Sequence, residues 1–340
     1  MKIVVLGGGV STERQISLDT SAAVLHALRA NGHRAVFVDL FLGIADTIQS
    51  SDALFDAPDG LAGNLEKSRR LSDQELQDIY ARRSGCAVGP HVFEVCKCAD
   101  FVFIGLHGEC GEDGRIQGTL DLLGVPYNGS GLLGSAMAMD KEVARRIMQQ
   151  CGIRVAPLVR HAPCIVKPTR GGSSIGVHLC RTDAELDAVL SVEKTTQSGI
   201  LIEQYIEGKD VSVAVLGNRA LKPIDLIAPE GHFLDFTAKY TDGETGKKMG
   251  CPADIRPETE KAIREAAEKL HKALKLSVYS RTDFIIDRDG QAWCLEVNTL
   301  PGMTEHSAAP MEAAYDGIDF LSLCERIVQL SLEKDRQDLC

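Results

Sequence analysis

The chain has 340 residues, enough for two or three domains at roughly 100–200 residues each. Apolar residues make up 44% and charged residues 25%, which excludes a disordered chain. The net charge of −11, from 37 Lys+Arg against 48 Asp+Glu, speaks against nonspecific nucleic-acid binding, and apolar runs such as 3–6 and 101–106 are far short of the ~18–20 residues of a membrane span.

Ile3-Val4-Val5-Leu6 runs into Gly7-Gly8-Gly9 and reads as a buried parallel strand meeting a glycine turn. Ser11 is placed to cap the next helix, whose stripe of Ile16, Val24, Leu25 and Leu28 stops at Asn31-Gly32. Strands at 35–40 and 101–106 follow, so residues 1–130 form an open α/β domain with working loops at the strand carboxyl ends. Residues 41–95 fit poorly. They read as a polar insertion with one helix at 72–83, opened by the capping box Ser72 and Glu75. The eleven cysteines form no pairing pattern and no signal peptide opens the chain, so we expect reduced thiols and a cytoplasmic protein. Cys86, Cys96, Cys98 and Cys110 leave a zinc site as an alternative.

From about 140 the pattern changes. A helix near 141–150 precedes strands at 164–167, 176–180 and 200–206, with a helix from Asp183 opened by Thr182 and Glu185. Further strands follow Val211. A long helix at 258–275 carries Ile263, Ala266, Ala267, Leu270 and Leu274 on one face, and a last helix ends the chain.

The strongest chemical signal is a hairpin. Arg281–Asp287 and Gln291–Asn298 flank Asp289-Gly290, the preferred pair for a two-residue turn. With 288 facing 291, Asp283 faces Glu296 and Arg281 faces Asn298, all four on one face. Trp293, Leu295 and Val297 are then core residues. Buried carboxylates in that position repel, and need a cation or a shared proton. Asp283, Glu296 and Asn298 offer only oxygen, which suits Mg²⁺ or Mn²⁺. A solvated outer face is the alternative.

Lys167-Pro168-Thr169-Arg170-Gly171-Gly172-Ser173-Ser174-Ile175-Gly176 follows a short strand. It suits an anion held by backbone N–H groups, although the Walker A order is missing. Lys141 and Lys239 are further cationic candidates. Gly7-Gly8-Gly9 with Asp39 suggests a dinucleotide site, but Thr12 stands where the third glycine belongs, which disfavours a nicotinamide-dependent oxidoreductase. Glu13 falls in the first helical turn, where it suits the helix dipole or an ammonium ligand.

Taken in order, these motifs resemble the D-alanine–D-alanine ligases of the ATP-grasp superfamily. The set runs through 8–13 (GGVSTE), Leu106-His107-Gly108, 111–114 (GEDG), 127–131 (YNGSG), Met139-Asp140-Lys141 and the 167–176 loop. It continues through 203–206, Ala238-Lys239-Tyr240, Cys251-Pro252-Ala253, Arg281-Thr282-Asp283, 296–304 (EVNTLPGMT) and His306-Ser307.

The resemblance implies a three-domain fold of α/β and α+β type. An N-terminal Rossmann-like domain (1–130, with insertion 41–95) precedes a small central α+β domain (131–210). A C-terminal α+β domain (211–340) has a mainly antiparallel sheet and a mobile loop at 236–253. It implies ATP as co-substrate, held by Lys141, Lys167, Ser174, Glu203, Gln204, Tyr205, Ile206, Asp210 and Lys239. Two Mg²⁺ or Mn²⁺ ions would sit on Asp283, Glu296 and Asn298. ATP would phosphorylate a first D-alanine, and the amine of a second would attack the acyl phosphate. Glu13 would take the first ammonium, with His107 nearby, Arg281 and the Gly302 N–H the oxyanion, and Ser307 the second carboxylate. Tyr240 linked to Ser173 and Glu13 favours D-alanine as second substrate over D-lactate; a D-alanine–D-lactate or D-serine ligase is the alternative. A homodimer is implied, with neither membrane nor nucleic acid as partner. Two readings compete besides the oxidoreductase: another ATP-grasp carboxylate–amine ligase, and a nucleotide-binding protein without catalysis.

Overall fold

The computed structural model describes residues 1–44, 51–172, 174–193, 199–227 and 248–338. Strands β1 (Lys2–Gly7), β2 (Arg34–Asp39) and β3 (Phe101–Ile104) form a parallel sheet in the order β2-β1-β3. Its residues Ile3, Val4, Val5 and Val36 are fully buried, as expected of strands covered on both faces. β4 (Cys164–Pro168), β5 (His178–Cys180) and β6 (Ile200–Gln204) form a small antiparallel sheet in the order β5-β4-β6. β7 (Gly208–Leu216), β8 (Arg219–Ala220), β9 (Ile224–Ile227), β10 (Lys248–Gly250), β11 (Tyr279–Asp287) and β12 (Ala292–Asn298) form the third sheet, ordered β10-β9-β7-β11-β12 with β8 on β7.

Three apolar cores follow from this layout. The parallel sheet has the largest, and the last helix, Phe320–Asp338, closes it with Leu323, Cys324, Ile327 and Val328. Two long-range contacts fix that helix: Asn31 Nδ2 donates to the Leu321 carbonyl at 2.9 Å, and His33 Nε2 lies 2.8 Å from Glu325. The six-stranded sheet packs on helix Pro257–Ala273 through Ile263, Ala267 and Leu270, and on helix Lys141–Gln150 through Ala144 and Met148. Among the described residues, the core on the small sheet gathers Cys164, Val166, Cys180 and, from the helix packed on it, Leu186.

Several sequence expectations need correction. The 41–95 insertion holds four helices, Ser51–Phe55, Ala62–Arg69, Asp73–Arg82 and Val92–Lys97. Only Asp73–Arg82 was expected, and its capping box is present. The others dock a few residues (Phe55, Leu65, Val92, Val95) into the first core, too sparsely to give a periodic signal. The first helix begins at Arg14 with Glu13 as its cap, so Ser11 does not cap it; Ser11 Oγ instead accepts the Glu13 N–H and donates to the His107 carbonyl. The strand expected from 176 begins at His178, because turns closed by Ile175 N–H to Gly172 O and Val177 N–H to Ser174 O precede it. The zinc alternative fails as well. Cys96 is buried while Cys86 and Cys98 are exposed, and among the described residues no three His, Cys, Asp or Glu side chains gather as metal ligands.

Asp39 has no room for a ribose. Its carboxylate takes the Arg14 guanidinium at 2.6 Å and accepts the N–H groups of Phe41 and Leu42, with Arg14 and Asp39 both buried. Asp39→Ala leaves that guanidinium buried and unpaired. We expect a loss of about 3–5 kcal/mol of unfolding free energy in urea denaturation. A loss under about 1 kcal/mol, typical of a solvated surface pair, would contradict this account.

Candidate active site

The hairpin keeps the expected opposition but not the expected turn. Arg281 pairs with Asn298, Thr282 with Val297 and Asp283 with Glu296; the register then shifts, and Phe284 pairs with Cys294 and Ile285 with Trp293. Asp287 N–H donates to Gln291 O, so the loop has three residues, 288–290, with Gly290 at φ +77°. The Asp287 carboxylate gathers the N–H groups of Asp289 and Gln291 and the Trp293 indole, which favours this longer loop. A bulge at Leu295 absorbs the extra residue and restores the pairing below it. The core assignments are corrected accordingly. Cys294 and Val297 face the core, Leu295 lines a cleft, and Trp293 is half-buried with the Arg154 guanidinium 5.1 Å over its ring.

That cleft lies between the small sheet and the six-stranded sheet and encloses about 970 Å³, counting solvent at its mouth. Ile165, Val177, Leu226 and Leu295 give it apolar walls. Of the residues expected at ATP, Lys141, Lys167, Ser174, Glu203 and Asp210 line it, as does the run Gln204-Tyr205-Ile206. Asp283 and Glu296 stand at one end of it. Ser173, Lys239 and Tyr240 lie outside the described residues, as does most of the loop assigned to 236–253.

The charges in the cleft are balanced by the protein itself. Arg281 holds Asp283 through two bonds of 2.8 Å, and Ser212 Oγ donates to the same carboxylate at 2.8 Å. Lys141 Nζ lies 3.4 Å from Glu296 and donates to the Gly171 carbonyl at 2.6 Å. Asp140 caps the helix that carries Lys141, accepting the Glu142 and Val143 N–H groups. Glu203 takes Lys167 and Arg145, each at 2.7 Å. So the carboxylate pair inferred from the hairpin is real, and side-chain cations compensate it. The donor set suits a hard divalent ion. Asn298 Nδ2 is buried without a partner among the described residues, and the amide turned over would present oxygen there beside the two carboxylates.

A second cluster forms where the three sheets meet. A recess of about 310 Å³, bordered by Glu112, Lys141, Gly172, Glu296 and Asn298, lies beside it and shares Lys141, Gly172 and Glu296 with the cleft. Glu13 is buried, its carboxylate wedged between two glycines. A Cβ on Gly108 would sit 2.5 Å from Glu13 Oε2, and one on Gly172 2.8 Å. His107 Nε2 meets Thr20 Oγ1 at 2.9 Å, and Thr20 Oγ1 accepts the Met303 N–H at 3.4 Å. Ser307 stands at the start of helix Ala308–Tyr315, its Oγ 3.0 Å from where a Gly302 Cβ would be. A hydroxyl beside a helix N-terminus suits a carboxylate.

Sequence reasoning missed Glu112. Its Oε2 accepts the Gly108 N–H at 2.9 Å and its Oε1 the Leu300 N–H at 3.3 Å, tying the turn after His107 to the turn before Gly302. Burial, reinforced by the Glu13 charge, raises its carboxyl to about 8. The available signal was its place four residues after a strand-end glycine.

Burial lowers the His107 imidazole to about 4, against a Leu300 backbone contact that raises it, and Arg281 lowers it further. We expect His107 to be neutral at pH 7, its NMR midpoint near 4; a midpoint near the unperturbed 6.5 would contradict the burial argument.

Comparison with known proteins follows the same lines. Residues 2–130 match the family described as D-ala D-ala ligase N-terminus, and residues 138–329 match D-ala D-ala ligase C-terminus. The D-alanine--D-alanine ligase of Anaeromyxobacter dehalogenans is 37% identical over 343 residues, covering 96% of each chain. That of Desulfotalea psychrophila is 43% identical over 288 residues, 78% of this chain and 88% of its own. Among solved structures, D-alanine--D-alanine ligase from Bacillus anthracis complexed with ATP superposes with a TM-score of 0.73 at 28% identity, covering 99% of both chains. VanG D-Ala:D-Ser ligase from Enterococcus faecalis also gives 0.73 at 28% identity, covering 97% of this chain and 99% of its own. The chain belongs to the D-alanine–D-alanine ligase family.

Proposed function

We propose that this chain joins two D-alanines into D-alanyl-D-alanine through a D-alanyl phosphate, releasing ADP and phosphate, as a step in peptidoglycan precursor synthesis. One observation carries the reading. The cleft, with its lysines and opposed carboxylate pair, shares Lys141, Gly172 and Glu296 with an adjoining recess bordered by Glu112 and Asn298, and Glu13 packs against Gly172 beside that recess.

The roles follow from chemistry and position. The adenine packs between the apolar walls, with Glu203 and the backbone of Gln204, Tyr205 and Ile206 at its edge and Asp210 at the ribose. Lys141, Lys167 and Ser174 face the phosphates, joined by Lys239. Asp283, Glu296 and Asn298 would hold two Mg²⁺ or Mn²⁺ ions, which supply charge neutralisation and alignment of the phosphates. Glu13 takes the first ammonium, and a neutral His107 beside it adds no repulsion. A carboxylate oxygen of that D-alanine attacks the γ-phosphorus while the bond to ADP breaks. The second amine then attacks the carbonyl carbon, and phosphate leaves. Arg281 and the Gly302 N–H stabilise the oxyanion, and Ser307 holds the second carboxylate. Ser173 and Tyr240, with Glu13, favour an amine as attacking partner. A homodimer through residues 1–130, the division at 130 and 210, and a cytoplasmic location belong to the same proposal; among the described residues no helix is long and apolar enough to cross a membrane.

The test is mass analysis of products from ATP, Mg²⁺ and D-alanine, alone and with D-serine or D-lactate in equal amount. We expect dipeptide and ADP in equal quantity from D-alanine alone. A protein idle until a second acid is added would contradict the reading. Glu296→Ala should lower turnover by about 10²–10³-fold, with the circular dichroism spectrum retained. Normal ADP formation by this variant would remove Glu296 from the phosphate end.

A further inference from the structure

Glu13 and Glu112 pose the same electrostatic problem as Asp283 and Glu296, and here the hydrogen bonds to Glu112 come from the backbone N–H groups of Gly108 and Leu300. Both residues are buried, at 7% exposure each. They converge on Gly108, whose N–H donates to Glu112 Oε2 and whose missing Cβ makes room for Glu13 Oε2. Each Glu112 oxygen has one backbone N–H donor, which leaves lone pairs for another. We propose that Glu112 is the second carboxylate of the subsite for the first amino acid's ammonium group, a positioning residue that carries a proton when no ammonium is bound and yields it to solvent when the ammonium enters. The inference rests on the function proposed above.

Burial makes an ionised Glu112 costly and the Glu13 charge adds to that cost, so Glu112 keeps its proton. An ammonium between them removes that penalty. A hydroxyl in its place does not, so the pair selects for an amino acid at this position. The clasp from Gly108 to Leu300 also sets the distance between His107 and Gly302. The charged and titratable groups around Glu112 are Glu13 from the first helix, His107 from the turn after β3, and Arg281 and Tyr279 from β11. Lys141 and Glu296 border the recess beside it.

The experiment is calorimetry of D-alanine binding to the enzyme holding Mg²⁺ and a non-hydrolysable ATP analogue. It is run near pH 7 in two buffers of different ionisation enthalpy, on the native chain and on Glu112→Gln. We expect release of close to one proton by the native chain and near none by Glu112→Gln. We also expect the variant's KM for D-alanine to rise about tenfold or more, with Glu112→Asp recovering part of the loss. Unchanged proton release in Glu112→Gln, or a fall in kcat with KM unmoved, would overturn the proposal and leave Glu112 as a structural clasp. If Glu112→Gln fails to fold, the native chain decides, since no proton release between pH 6 and 7.5 overturns it. A native chain that forms no D-alanine-dependent ADP would instead overturn the function.

Discussion

Asp283 and Glu296 face each other across β11 and β12, Arg281 clamped on one and Lys141 beside the other. Like charges this close are tolerated only with positive charge beside them, and the surrounding fold serves that requirement. The small sheet sends Gly171 to receive Lys141, and the Lys141 helix packs into the core of the six-stranded sheet. Ser212 on β7 adds a hydrogen bond to Asp283 from the neighbouring strand. A cleft built in this way is prepared for a polyanion and its cations, because the protein's own cations already stand where phosphate charge must be met.

The cleft is asymmetric in stability. One wall belongs to a sheet with an extensive core and the other to a sheet whose core cluster, among the described residues, is far smaller. Local opening costs least where few apolar contacts are made. The small sheet is therefore the wall suited to move as a nucleotide enters and leaves.

Much of this was legible in the sequence, and the failures have physical causes. The opposition of Asp283 and Glu296 was reached through a two-residue turn that does not exist. The pairing survives because the Leu295 bulge cancels the longer loop. Cys294 and Leu295 are both apolar, so the period-two pattern carries no mark of the slip. Glu112 was passed over because a Gly-Glu-Asp-Gly run reads as an ordinary polar turn, and its partners at Leu300 and Glu13 are distant in sequence. The last helix gave no hint that it closes the first core, since its anchors at Asn31 and His33 lie some 290 residues away. Short continuous apolar runs ending in glycine turns marked the parallel sheet correctly because each is a local signal.

The claim on which the account rests is that the opposed carboxylates exist to hold divalent cations at a nucleotide's phosphates. Electron paramagnetic resonance of Mn²⁺ in the presence of ADP measures this directly, comparing the native chain with the double variant Asp283→Asn, Glu296→Gln. The account predicts protein-bound Mn²⁺ in the native chain and its loss in the double variant, with ADP itself still bound through Lys167 and the apolar walls. Equal Mn²⁺ binding by both proteins would contradict it.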